Sequence, residues 1–127
     1  MSGSHPLRRA ETLVLVAIGG FVGANARYLL GLAVPELAGT FLANVTGSAL
    51  LGFVLYEAMD TGLLTAETRL VVATGFLSSY TTYSTFALET IQTTPLLGVA
   101  NVAASYAFGF GAVYVGGYAA ASLEDGS

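Results

Sequence analysis

The chain has 127 residues, of which 9 % are charged and 54 % hydrophobic, where a soluble domain carries about 25 % charged residues. A domain this short buries only part of the surface its chain exposes, so a mean hydropathy of +0.72 excludes a water-soluble fold. The same lack of charge excludes disorder. Lipid is the solvent left for most of these side chains, and the expected fold class is an all-α integral membrane protein. Arg8, Arg9, Arg27 and Arg69 are the only bases against eight acids, a net charge of −4, which leaves no basic surface to hold nucleic acid. An acidic, lysine-free chain fits a host with a salty cytoplasm. Without cysteine there is no disulfide, thiolate nucleophile or Cys-based metal site. His5, the single histidine, is read as a solvated residue of a polar N-terminal leader, and an enzyme is not expected from such a set.

A membrane-spanning helix takes about 20 mostly apolar residues, within a range of about 17–25. Four such stretches fill nearly the whole chain as one membrane domain, at about 12–34, 38–59, 69–92 and 96–122. The first lies between Arg8-Arg9-Ala10-Glu11 and Pro35-Glu36. Arg8-Arg9, the apolar run and Ala24-Asn25-Ala26 also resemble a signal peptide and its cleavage site. Against cleavage, the apolar run continues from Tyr28 to Val34. The second span stops in the acidic turn Glu57 to Gly62, the third begins near Glu67–Arg69, and the fourth follows Pro95, a residue suited to a helix start. With the N-terminus inside, Arg8, Arg9 and Arg69 are cytoplasmic. That bias is small, and insertion in both orientations is open.

Glycine punctuates every span. In lipid, helices associate by close approach of small-residue faces, and Gly19-x-x-x-Gly23 and Ala112-x-x-x-Gly116 offer such faces. Polar residues gather in two places. Thr40, Asn44 and Gly47/Ser48 form a narrow stripe in the second span, either a helix–helix hydrogen bond or a lining. In the third span, Gly75 to Phe86 (GFLSSYTTYSTF) carries a hydroxyl at every residue from Ser78 to Ser84, and four of its twelve residues are aromatic. Serine and threonine compete for backbone hydrogen bonds, so the third helix is expected to break at mid-membrane. Such a break is tolerated only inside protein or along a watery cavity, and its freed carbonyls suit a small cation. Hydroxyl and amide groups donate hydrogen bonds, ring edges are positive, and neither cluster holds an acid, a lining that favours an anion. Tyr83 and Phe86 lie three apart, near one another on a helix face. Asn101, Ser105 and Gly109 make a second thin polar track in the fourth span.

Gly20-Phe21-Val22-Gly23-Ala24-Asn25-Ala26-Arg27-Tyr28, Gly39-Thr40-Phe41-Leu42-Ala43-Asn44 and Gly75 to Phe86, followed by Glu89, resemble the CrcB/Fluc fluoride channel family over essentially the whole chain. The resemblance implies a fluoride-selective channel of the cell membrane. Fluoride enters as neutral HF, ionises in the cytoplasm and is trapped until a conductive path lets it out. It further implies an antiparallel dimer with two pores at the subunit interface, and a structural sodium ion that is not transported. By position, the backbone carbonyls of Ser78 and Thr81 would hold the sodium, Asn44 would be the pore amide donor, and Tyr83 and Phe86 the pore aromatics. Ser84 and Thr85 would lie on the anion path and Ser105 on the polar track of the fourth helix. Arg27 would stand near a pore mouth, and Glu89 would be a buried, hydrogen-bonded structural carboxylate. The family pattern has glycine where Ser78 and Ser79 stand, phenylalanine at Tyr83 and tyrosine at Asn101. Both a homodimer and a heterodimer with a paralogue are open. A small four-helix proton-coupled multidrug exporter is the competing function, but it needs a membrane-embedded carboxylate in the first span, where only Glu11 stands, at the edge.

Overall fold

The computed structural model describes residues 6–125, and among these every regular element is a helix. The polar leader around His5 lies outside the described residues. Helix α1 is Pro6–Ala33 and α2 is Glu36–Tyr56, which widens into a π-turn over Glu57–Thr61. Helix α3 (66–80) is made of Ala66–Arg69, a π-helical stretch Leu70–Leu77 and a last short turn Ser78–Tyr80. Helix α4 is Ser84–Gln92, and α5 is Pro95–Asp125.

Three helices are long and apolar enough to cross a membrane: Pro6–Ala33, Glu36–Asp60 and Pro95–Leu123. The third stretch is in pieces, α3 and α4 separated at 81–83. The chain is a multi-pass membrane protein. Its 28-residue α1 is about 42 Å long at about 1.5 Å per residue, more than the hydrocarbon core needs. It carries exposed Arg8, Arg9 and Glu11 beyond the apolar stretch. Ala24-Asn25-Ala26 lies inside this unbroken helix.

The exposed surface explains the hydropathy. Phe21, Leu96, Phe110 and Tyr114 are among many large apolar or aromatic side chains facing outward, Tyr114 at 83 % exposure. The interior is built mostly of small residues. Gly19 and Gly23 of α1 meet the α3 backbone, where a Cβ on Gly19 would stand 2.6 Å from the Val71 carbonyl oxygen. On α2, Gly52 abuts the Val113 backbone, and Gly116 of α5 lies on the Ala49 carbonyl. Ala112 and Gly116 are buried, so both expected small-residue faces are packing faces. Phe41 and Phe108 close the α2–α5 contact edge to face, with ring centroids 5.7 Å apart. The bundle is therefore two close helix pairs, α1 with α3 and α2 with α5.

Arg69 has a partner that its spacing did not suggest. Glu57 is fully buried and receives Arg69 Nε at 2.5 Å on Oε1 and Arg69 Nη2 at 3.2 Å on Oε2. The Leu64 N–H also donates to Glu57 Oε2 at 3.0 Å. Gly62, at φ +64°, turns the chain in the left-handed region, and Thr65 caps the next helix by accepting the Thr68 N–H. One carboxylate thus fixes the whole α2–α3 turn.

Two predictions rest on this packing. Gly52→Ala or Gly116→Ala overpacks the α2–α5 contact and costs about 1–3 kcal/mol, whereas Gly111→Ala, with open space around it, is neutral or slightly stabilising. Thermal unfolding in detergent separates the two outcomes. Arg69→Met lowers the melting temperature by leaving Glu57 without its charged partner, and adding Glu57→Leu restores part of the loss.

Candidate functional site

The break in the third span follows from its hydroxyls. Thr81 Oγ1 donates to the Leu77 carbonyl at 2.8 Å, and Ser78 Oγ donates to the Thr74 carbonyl, so both side chains saturate the turn behind them. The backbone then leaves the helix at Thr81, with φ −87° and ψ 163°. It re-enters at Tyr83, with φ −91° and ψ −40°. Thr82 Oγ1 accepts the Thr85 N–H at 3.2 Å and so caps the start of α4.

Asn44 bridges the gap. Its Oδ1 accepts the Thr82 N–H at 2.8 Å, and its Nδ2 donates to the Thr82 carbonyl at 2.9 Å. One side chain therefore satisfies both backbone groups of the residue at the centre of the break, and keeps one Nδ2 hydrogen in hand. In an unbroken helix the Thr82 N–H would go to the Ser78 carbonyl and the Thr85 N–H to the Thr81 carbonyl. Both donors are used elsewhere, so among the described residues the Ser78 and Thr81 carbonyls receive no backbone N–H. These are oxygen ligands of the kind a small hard cation takes. No cluster of three His, Cys, Asp or Glu side chains able to hold a metal exists among the described residues.

Beside the break runs a groove of about 580 Å³. Asn44, Gly47 and Ser48 of α2 form one wall, Ser105, Tyr106, Gly109 and Phe110 of α5 another, and Ser78, Thr81, Tyr83 and Phe86 the third. No charged side chain lines it among the described residues. Phe86 is buried, while Tyr83 is 73 % exposed, and their centroids lie 5.9 Å apart. Phe86 also meets Tyr106 edge to face at 6.3 Å, and Tyr106 meets Phe110 at 6.2 Å.

The groove brings together Asn44, Ser78, Thr81, Tyr83, Phe86 and Ser105 of the expected set. It does not take in Ser84 or Thr85. Ser84 is exposed, its hydroxyl 3.4 Å from that of Thr82. Thr85 projects about 100° round the helix from Phe86 into a second cavity of about 460 Å³, with Thr40, Arg27 and Glu89. Glu89 Oε1 is buried with no hydrogen-bond partner among the described residues, so the expected satisfied carboxylate is half satisfied at most. Sequence reasoning passed over Tyr106 and Phe110, whose spacing of four residues places them on one helix face. It had no means of joining that face to Phe86.

A polytopic helical protein with a backbone break braced by an amide, next to an uncharged groove of hydroxyls and ring edges, is built as a membrane transport protein. The sequence pattern of the family described as CrcB-like protein, Camphor Resistance (CrcB), matches residues 14–117. The chain is 55 % identical over 116 residues to "Fluoride-specific ion channel FluC 1" of Haloarcula marismortui, covering 91 % of each. It is 46 % identical over 121 residues to "Fluoride-specific ion channel FluC 2" of Halobacterium salinarum, covering 94 % of each. To "Fluoride-specific ion channel FluC 1" of Natronomonas pharaonis it is 48 % identical over 109 residues, 84 % of this chain and 92 % of that one. The chain belongs to the CrcB family.

Asn44→Leu removes both bonds to Thr82 while keeping the branching and number of side-chain heavy atoms. The expected cost is about 2 kcal/mol, since a half-buried donor and a half-buried acceptor both lose their partner. Unfolding of the purified protein in detergent measures it.

Proposed function

We propose that this chain is a fluoride-selective ion channel, not an enzyme, that lowers cytoplasmic fluoride by passive export across the cell membrane. The observation that carries the reading is the groove lining. It offers the phenol groups of Tyr83 and Tyr106, the spare Asn44 N–H and aromatic edges, with no charged side chain among the described residues. Fluoride is small and strongly hydrated, and a path of many weak donors replaces its water without holding it as a fixed cation would. The names of relatives aligned over nine-tenths of the chain support the same anion.

Two copies in opposite orientations complete the path. Tyr83 and Phe110 stand at 73 % and 68 % exposure on the groove's rim, which leaves one side open to a second subunit. That subunit is an identical copy in the simplest arrangement and a paralogue in the other. Sodium serves as a structural ion, held by the Ser78 and Thr81 carbonyls of each copy. The ion would supply a positive charge for oxygens that no backbone N–H among the described residues reaches. Asn44, Tyr83, Phe86 and Ser105 line the anion's way, while Ser84 and Thr85 would serve it outside the main groove, Thr85 beside Arg27. A proton-coupled exporter finds no support in α1, whose only acid, Glu11, is exposed near its N-terminal end.

The test is fluoride efflux from proteoliposomes, read with a fluoride electrode against chloride. Fast fluoride and little chloride efflux is expected from this chain alone. Phe86→Ile should slow fluoride up to about tenfold by removing ring-edge contacts, and a larger cation in place of sodium should weaken the dimer. Silence from the folded chain, alone and with a co-expressed paralogue, would overturn the reading.

A further inference from the structure

A chain of side-chain hydrogen bonds lies behind the groove wall and ends on Ser105, one of its lining residues. Thr90 Oγ1 donates to the Phe86 carbonyl at 2.7 Å. Its hydrogen is spent there, so Thr90 Oγ1 can only accept from Asn101 Nδ2, 2.9 Å away. That contact fixes which way the Asn101 amide points, with Nδ2 toward α4 and Oδ1 toward Ser105. Ser105 Oγ lies 3.4 Å from Asn101 Oδ1, and between a carbonyl oxygen and a hydroxyl the hydroxyl must be the donor. Ser105 lines the groove, whereas Asn101 does not. The direction of every hydrogen in the chain thus follows from the first bond, that of Thr90 to the backbone.

This direction matters for an anion. A hydroxyl helps an anion only by presenting its hydrogen, and Asn101 draws the Ser105 hydrogen away from the groove. From these bonds we propose that Asn101 is a positioning residue that sets the polarity of the Ser105 hydroxyl and thereby tempers the groove's affinity for fluoride. The inference rests on the fluoride-channel reading. At 3.4 Å the Ser105–Asn101 bond is long and weak, so a passing anion takes the hydrogen at small cost and gives it back as it leaves. The relay supplies a donor that yields to the ion without trapping it, which a conducting path needs. It also joins α4, which carries Phe86, to α5, which carries Ser105, so the two walls keep their spacing while the hydroxyl turns.

The experiment measures initial fluoride efflux from proteoliposomes against fluoride concentration for the wild type, Asn101→Leu, Asn101→Asp, Thr90→Val, Ser105→Ala and the double variant Asn101→Leu/Ser105→Ala. Each is checked by gel filtration for the same assembly. Asn101→Leu releases the Ser105 hydrogen, and the half-saturating concentration should fall about two- to threefold, the worth of one weak hydrogen bond. Asn101→Asp holds the hydrogen harder and adds negative charge, and the value should rise. Thr90→Val frees the amide to turn, and should shift it in the same direction as Asn101→Leu, so the proposal stands or falls even if the leucine variant does not fold. In the Ser105→Ala background, Asn101→Leu should have no effect. If Asn101→Leu and Thr90→Val raise the value, or the leucine effect survives without Ser105, Asn101 only packs α4 on α5 and the assignment is overturned. A wild type that conducts no fluoride overturns the functional reading together with this one, whereas a conducting wild type with the wrong variant pattern overturns this one alone.

Discussion

A helix that breaks at membrane depth leaves N–H and C=O groups that lipid cannot satisfy, and the way this chain meets that demand organises everything around it. The break centres on Thr82, whose two backbone groups are both taken by Asn44 from another helix. The side-chain amide mimics a passing peptide unit. Without it the Thr82 N–H would have the Ser78 carbonyl as its nearest alternative, and the third span would tend to close into a continuous helix. The polar stripe on α2 and the hydroxyl run on α3 are therefore two halves of one device, 38 residues apart in sequence.

The glycines decide how near those halves can come. Gly47 lies one turn from Asn44 on α2, and any Cβ there would fall on the Thr81 methyl group. Gly19, Gly23 and Gly75 let α1 and α3 meet backbone to backbone, and Gly52 and Gly116 do the same for α2 and α5. Small residues thus supply most of the interior, and the large apolar side chains are sent outward. That is the reverse of a soluble core and the natural result where lipid is as apolar as leucine.

Much of this was legible in the chain itself, for a definite reason. Span positions, small-residue faces and the tendency to break are local properties, written in hydropathy, glycine spacing and the run Ser78 to Ser84. Sharing of residues between cavities is not local. Thr85 and Phe86 are neighbours, yet helical rotation sends them to different cavities. Arg69 reads as a free topological charge until the turn from Glu57 to Leu64 folds back and pairs it. Asn101 reads as one polar position in a track, and only the bond from Thr90 shows which end of its amide faces Ser105. Hydrogen-bond direction depends on partners distant in sequence, and no spacing rule encodes it.

The brace, the proposed cation site and the proposed anion path are geometrically inseparable. By taking the Thr82 N–H, Asn44 leaves the Ser78 carbonyl without a helical donor, and with its remaining hydrogen it lines the groove. The same break lets Thr82 Oγ1 claim the Thr85 N–H, which exposes the Thr81 carbonyl and starts the short helix that carries Phe86. In the functional reading proposed above, a cation resting on those carbonyls would stabilise the broken conformation, because an unbroken helix has no free oxygens there to offer. The broken conformation is in turn what sets Tyr83 and Phe86 beside the groove. A structural cation and a conducted anion need no contact with each other to be linked. Each favours the same backbone geometry, and a ligand that binds one of two conformations better shifts the population toward it.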